Sequence, residues 1–100
     1  MKIKITQGKE VVIETEVTSL NIYEDGCVEF QVPDNCYYIT TQGIDQDNGE
    51  GTLWFEKFKN PEDLDEPTEI KKIPLRDVKI DLMLNSKWEE IPLRGSFLKK

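Results

Sequence analysis

Apolar and polar residues alternate along the first part of the chain. Ile3 and Ile5 are separated by a lysine, and Val11 and Ile13 begin a second run with the same spacing. A period of two is typical of strands that bury one face. A loop over residues 7–9 would set Ile5 opposite Val11 and Ile3 opposite Ile13, and we predict a first hairpin with that register.

A proline marks the next clear turn. Pro33 suits the second position of a type I turn, between an apolar run and the following strand. We predict a four-residue loop at this point. It would align Val32 with Tyr37 and Phe30 with Ile39, placing both pairs on one face of the sheet.

An aromatic strand is predicted between two polar segments. Residues 42–51 are polar and rich in glycine, so we expect a loop there. Residues 52–59 follow, with Leu53 and Phe55 spaced for one buried face. The acidic stretch 61–67 is expected to form a solvated loop or a single helical turn that begins at its proline.

The segment 77–91 fits two periodicities. Val78, Ile80 and Leu82 alternate with charged residues, as expected of a strand. Ile80, Met83 and Leu84 also follow the spacing of a helical face. We favour a strand and leave the helix as the alternative.

The tetrapeptide Ile-Pro-Leu-Arg occurs twice, beginning at Ile73 and at Ile91. Proline has no N–H to donate to a neighbouring strand. We therefore expect each Ile-Pro step to lie at a sheet edge, at a bulge or at the start of a strand.

These patterns predict a single β-rich domain over residues 1–100. We expect an all-β fold, either a small antiparallel sandwich or a partly open barrel of seven to nine short strands, with at most one short helix. The hairpins follow one another without a crossover helix. A chain of 100 residues suffices for one core and is too short for two.

Composition removes several classes of function. The chain has no histidine, which excludes imidazole-based catalysis, and it has no apolar run of the length that crosses a membrane. No catalytic constellation or cofactor motif stands out, so we expect neither an enzyme nor a cofactor. Alanine is absent and lysine outnumbers arginine 11 to 2, a composition that suggests AT-rich coding in a low-GC bacterium or its phage.

The two cysteines are predicted to be unpaired. In the register proposed above, Cys27 and Cys36 are separated by about 16 Å along the strands, far beyond the limit of about 7 Å between the Cα atoms of a disulfide. Free thiols and the lack of a recognisable signal peptide favour the cytoplasm.

Acidic residues concentrate in the middle of the chain, and the net charge is -7. Residues 1–69 hold 16 acids and 5 bases, whereas residues 70–100 hold 4 acids and 8 bases. A block of like charge is either a solvated region or a surface for a basic partner. The candidate partner-binding residues are the acidic side chains of this block: Asp45, Asp47, Glu50, Glu62, Asp63, Asp65 and Glu66.

We therefore predict a non-catalytic protein that binds a protein partner through this acidic segment or through a sheet edge. Binding through the acidic segment includes the case in which the protein mimics nucleic acid and so inhibits its partner. We expect no direct binding of nucleic acid or membrane, and the sequence leaves the oligomeric state open. Five aromatic residues could form a stacking platform for single-stranded nucleic acid, but core positions are expected because the net charge repels a polyanion. They are Tyr37, Tyr38, Trp54, Phe55 and Phe58.

The alternative function is binding of a small ligand or cation by the loop 45–56. Asp45, Asp47 and Glu56 match the first, third and last positions of a calcium-loop template. The template also needs an oxygen ligand at its fifth position and a glycine at its sixth, where this chain has a glycine and a glutamate. The flanks also favour strands over helices, so we expect a mobile hairpin loop and no metal site.

Overall fold

The computed structural model describes residues 1–93 and shows an all-β fold of two antiparallel sheets. The strands are β1 (Lys2–Gln7), β2 (Glu10–Glu16), β3 (Ser19–Ile22), β4 (Val28–Gln31), β5 (Tyr37–Ile44), β6 (Gly51–Phe58), β7 (Glu69–Pro74), β8 (Val78–Leu84) and β9 (Lys87–Ile91). The helical content of this part of the chain is one 3-10 turn, Leu75–Asp77. The predicted fold class is therefore confirmed.

The chain passes from one sheet to the other and back. The four-stranded sheet has the order β2-β1-β8-β9, and the five-stranded sheet has the order β3-β4-β5-β6-β7. Buried side chains from both sheets, among them Ile5, Phe30 and Ile80, form one hydrophobic core. The two sheets therefore pack as a sandwich, each with one face toward the core and one face outward.

The segment 77–91 consists of strands and not a helix. Strands β8 and β9 pair from Ile80↔Ile91 to Leu84↔Lys87. Asn85 and Ser86 close this hairpin with φ angles of 52° and 65°, the left-handed geometry of a two-residue turn. The strand predicted from the alternation of apolar and charged residues in this segment is therefore confirmed, and the helical alternative is wrong.

The register of the first hairpin differs from the prediction. Ile5 lies opposite Ile13, and Ile3 lies opposite Thr15. The turn contains only Gly8 and Lys9, and the register shifts by one residue between Ile5 and Thr6. As a result Val11 is 51% exposed and makes no contribution to the core.

The register of the β4–β5 hairpin also differs, and this difference exchanges the two faces of β5. Phe30 lies opposite Tyr38 and not Ile39. The loop has three residues because the Val32 N–H donates to the Cys36 carbonyl, with Asn35 in the left-handed region at a φ of 71°. A shift of one residue moves every side chain of a strand to the opposite face. Tyr38 therefore enters the core, where it stacks between Phe30 and Phe55 at centroid distances of 4.9 and 5.4 Å.

The predicted boundaries of the strands in the middle of the chain also differ from those in the structure. Strand β5 continues to Ile44 and β6 begins at Gly51, so the loop is shorter than the predicted 42–51. Gln42 is buried, and its side-chain amide donates to the Gly26 carbonyl at 2.9 Å. Residues 61–67 form an irregular loop without a helical turn.

Two predictions, about the proline-marked edges and the cysteines, are confirmed. Strands β7 and β9, which contain Ile73-Pro74 and Ile91, are edge strands among those described. Cys27 and Cys36 are free thiols located at opposite ends of β4. No helix within residues 1–93 is long and apolar enough to span a membrane.

Candidate functional site

The outward face of the four-stranded sheet is mainly polar, with Met83 and Trp88 as paired apolar exceptions toward the β9 edge. Its positions alternate with the core residues and include Lys4, Glu14 and Lys79. The Lys4 ammonium lies 4.4 Å from the centroid of the Trp88 ring, a cation–π contact that covers the largest apolar group on this face.

The outward face of the five-stranded sheet, called here the outer face, is different. Its central strands present aromatic and branched apolar side chains where a solvated sheet usually carries polar ones. The outer face includes the following residues of β4 to β7: Glu29, Tyr37, Ile39, Thr41, Gly43, Trp54, Glu56, Ile70 and Lys72. Most are half-buried, and Ile70 on the edge strand is 55% exposed.

Two tyrosines hold a carboxylate on the outer face. The hydroxyls of Tyr23 and Tyr37 both donate to Oε1 of Glu29, at 2.9 and 2.7 Å. Burial and then the hydrogen bond to Glu29 raise the pKa of Tyr37 well above the ordinary tyrosine value. The Tyr37 ring is thus fixed as a neutral phenol, and both tyrosines use Oε1 of Glu29, so neither hydrogen bond occupies its second oxygen.

Cys27 lies on the same face, next to the Tyr23–Glu29 pair. Burial raises the pKa of this thiol, and the charge of Glu29 acts in the same direction. A raised pKa lowers the thiolate fraction at neutral pH, so Cys27 lacks the activated character of a nucleophilic or metal-binding cysteine.

Trp54 pairs with Thr41 in the β5–β6 ladder, and its ring lies over Gly43, two residues further along β5. A Cβ atom built on Gly43 would be 2.9 Å from Cζ3 of the indole, which shows that the ring occupies the space above this glycine. Beyond the ring is an open pocket of about 380 Å³ at the end of the β5–β6 hairpin. Its lining residues are Ile44, Asp45, Gln46, Asp47, Trp54 and Lys72.

The loop between β5 and β6 is ordered by its own hydrogen bonds. The Asp45 N–H donates to the Glu50 carbonyl at 2.8 Å, and the Gly49 N–H donates to the Asp45 carbonyl at 2.7 Å. The Asp45 carboxylate accepts the Asp47 N–H at 2.8 Å. Glu50, also a predicted partner-binding residue, forms an ion pair with Arg76 at 3.5 Å.

The structure divides the seven predicted partner-binding residues into two groups. Asp45, Asp47 and Glu50 lie at the start of β6, in or beside the pocket. The other four lie in the loop after the end of β6 and are exposed: Glu62, Asp63, Asp65 and Glu66. The length of β6 separates the groups by about 23 Å, so the acidic segment is not one continuous patch.

The calcium-loop template does not fold as a loop. Glu56 lies within β6, where it pairs with Ile39 and Ile70. It is six strand residues beyond Glu50, about 20 Å from the turn that holds Asp45 and Asp47. Within residues 1–93 no group of three or more histidine, cysteine or acidic side chains is placed to hold a metal ion.

The residues of the outer face were missed because the β4–β5 register was wrong. That register puts Tyr37 and Ile39 on the core face, and a core position is predicted for Trp54 as well. The available indication was the paired apolar positions Tyr37-Tyr38 and Trp54-Phe55, which supply an apolar residue to each face of a strand. Comparison with protein-family models, with curated proteins and with solved structures finds no match for this chain.

Proposed function

We propose that this protein is a non-catalytic binding module that docks a protein partner on the outer face of the five-stranded sheet. The observation that supports this proposal is the contrast between the two outward faces. On its central strands the four-stranded sheet presents mainly charged side chains, such as Lys4, Lys79 and Asp81. The central strands of the five-stranded sheet present Tyr37, Ile39 and Trp54. Contiguous apolar groups on a surface are typical of interaction sites.

The apolar residues of this face are held in place before any partner binds. Tyr37 is fixed by its hydrogen bond to Glu29, and the Trp54 ring occupies the space that a side chain at Gly43 would need. Tyrosine and tryptophan dominate the centres of protein interfaces, and ordered side chains lose less entropy on binding. This face therefore has the composition and the order expected of an interface centre.

Charge favours a partner with basic side chains. Around the apolar centre are the carboxylates of Glu29, Glu56, Asp45 and Asp47, and the ammonium of Lys72 opposes them among the described residues of this face. Such a surface attracts lysine and arginine and repels the phosphates of nucleic acid. Binding in the cytoplasm, where free thiols such as Cys27 persist, is part of this proposal.

The acidic loop 62–66 has a secondary role in this proposal. Its four carboxylates are exposed and lie beyond the far end of β6. Screening at physiological salt limits their influence to about 8 Å, so they accelerate encounter with a basic partner without contributing close contacts.

The test compares two exposed residues of similar shape on different sheets. Partners captured from a lysate of the source organism are identified, purified and titrated by calorimetry against Ile70→Ser and Val11→Ser. Ile70 is 55% exposed on the outer face, and Val11 is 51% exposed on β2. Loss of an apolar contact of this size predicts about tenfold weaker binding for Ile70→Ser and unchanged binding for Val11→Ser.

Three results would contradict the proposal. Equal effects of the two serine variants would indicate a general loss of stability, and an effect of Val11→Ser alone would place the interface on the other sheet. Direct binding of DNA or RNA by the unmodified protein would contradict the expected partner class. Reversal of the four charges in loop 62–66 to lysine is expected to slow association and leave dissociation unchanged.

A further inference from the structure

We infer that the pocket beside Trp54 receives an arginine side chain of the partner. This inference rests on the proposed function, because it specifies the group that the outer face recognises. The pocket is open to solvent and combines an aromatic ring, two aspartates and a lysine within about 380 Å³.

The chemistry of the lining suits a planar cation. Trp54 offers a flat aromatic surface, on which a guanidinium stacks more readily than a compact ammonium does. Asp45 and Asp47 supply carboxylates, which accept paired hydrogen bonds from a guanidinium. The two types of group border one cavity, so one arginine side chain would meet both.

The carboxylates of the pocket still have oxygens to offer. One oxygen of Asp45 accepts the Asp47 N–H, and within residues 1–93 neither aspartate forms an ion pair. The same loop already pairs one guanidinium of its own chain, since Glu50 contacts Arg76 at 3.5 Å. Glu50 is therefore engaged, whereas Asp45 and Asp47 are available to a partner.

Lys72 has the opposite charge to the two aspartates, so its removal should change the affinity for arginine in the opposite direction. It lies directly opposite Trp54 in the β6–β7 ladder and lines the pocket. Its ammonium forms no ion pair within the described part of the chain. Because Lys72 repels a bound guanidinium, its removal should tighten binding of arginine, whereas removal of the aspartates should weaken it.

The experiment titrates the purified protein with N-acetyl-arginine amide and follows the backbone amide signals of residues 44–50 by NMR. N-acetyl-citrulline amide, which has the same shape without the charge, is the matched ligand. We expect the unmodified protein to bind the arginine probe with a millimolar Kd. Relative to that Kd, the double variant Asp45→Asn/Asp47→Asn should bind the probe at least fivefold more weakly, and Lys72→Gln should bind it about threefold more tightly. Glu62→Gln/Asp63→Asn is the control variant and should leave the affinity unchanged.

Several outcomes would overturn the assignment. Equal binding of the citrulline probe would show that charge is not recognised, and tighter binding of N-acetyl-lysine amide would indicate a site for ammonium groups. An unchanged affinity of Lys72→Gln for the arginine probe would also contradict the assignment. Because Lys72 is on β7 and not in the β5–β6 loop, this result does not depend on the folding of the loop. If the arginine probe fails while Ile70→Ser still weakens partner binding, the arginine assignment falls and the proposed function stands.

Discussion

Replacement of Gly43 by alanine tests the contact that positions Trp54. Gly43 is in a strand and has no positive φ, so an alanine is compatible with its backbone. The added Cβ would be 2.9 Å from Cζ3 of Trp54, whereas carbon atoms in contact are normally about 3.5–4.0 Å apart. The indole must therefore move by about 0.6–1 Å, or the strands must separate, to accept the methyl group.

The expected free energy change has two parts of opposite sign. Overpacking costs about 1–3 kcal/mol, and the lower half of that range applies because the Trp54 ring is half-buried and can yield. Alanine in a strand is favoured over glycine by about 0.5–1 kcal/mol. We expect Gly43→Ala to destabilise the protein by about 1 kcal/mol, which lowers the melting temperature by about 4–8 °C in a domain of this size.

The decisive measurement is a double-mutant cycle with Trp54→Ala, followed by urea denaturation. Without the indole, only the strand preference remains, so Gly43→Ala should raise the free energy of unfolding by about 0.5–1 kcal/mol. The effect of one substitution thus changes sign between the two backgrounds, with a coupling of about 1.5–2 kcal/mol. Additive effects would refute the claim that the ring rests on Gly43.

Three further predictions concern titration, thiols and cations. Because the pKa of Tyr37 is raised in the folded state, the protonated phenol stabilises the fold fully below pH about 10, and this stabilisation is lost as the pH rises further. In urea titrations at different pH values, the Tyr37→Phe variant should therefore lose less stability above pH 10 than the unmodified protein does. Thiol titration of the denatured protein without reductant should find Cys27 and Cys36 both free, and a disulfide in the monomer would contradict the β4–β5 register. Millimolar calcium should leave the melting temperature unchanged, and a rise that Asp45→Asn/Asp47→Asn abolishes would restore the cation-binding alternative.

The alternation of residues was sufficient to predict that most of these segments form strands. Ile3 and Ile5 are buried as their spacing indicated, and the same period of two identified β8. The proline at position 74 marked an edge strand, since proline cannot donate to a neighbour. These features depend on local chemistry, which a single sequence contains.

The candidate site was not predictable because it depends on the register of one hairpin. Pro33 correctly indicated the turn, but the length of the loop depends on whether Asn35 adopts a left-handed backbone. That choice decides whether Tyr37 or Tyr38 enters the core, and Tyr38 fits because it stacks on Phe30 and Phe55. Tertiary packing therefore selects the outer face. The charges of loop 45–50 were visible in the sequence, but their proximity to Trp54 was not.

The order of strands also determines when each sheet is completed during synthesis. Strands β3 to β7 are neighbours in both sequence and space, so the five-stranded sheet forms hairpin by hairpin as the chain leaves the ribosome. Strand β1 pairs with β8, and Ile3 and Ile5 reach their partners only after Leu82 and Ile80 have been made. Until then the edge of β1 that pairs with β8 has no partner, and an unpaired strand edge of this kind is prone to association. Synthesis of β8 therefore closes the most exposed strand edge of the growing chain, after the sheet that carries the outer face has all its strands.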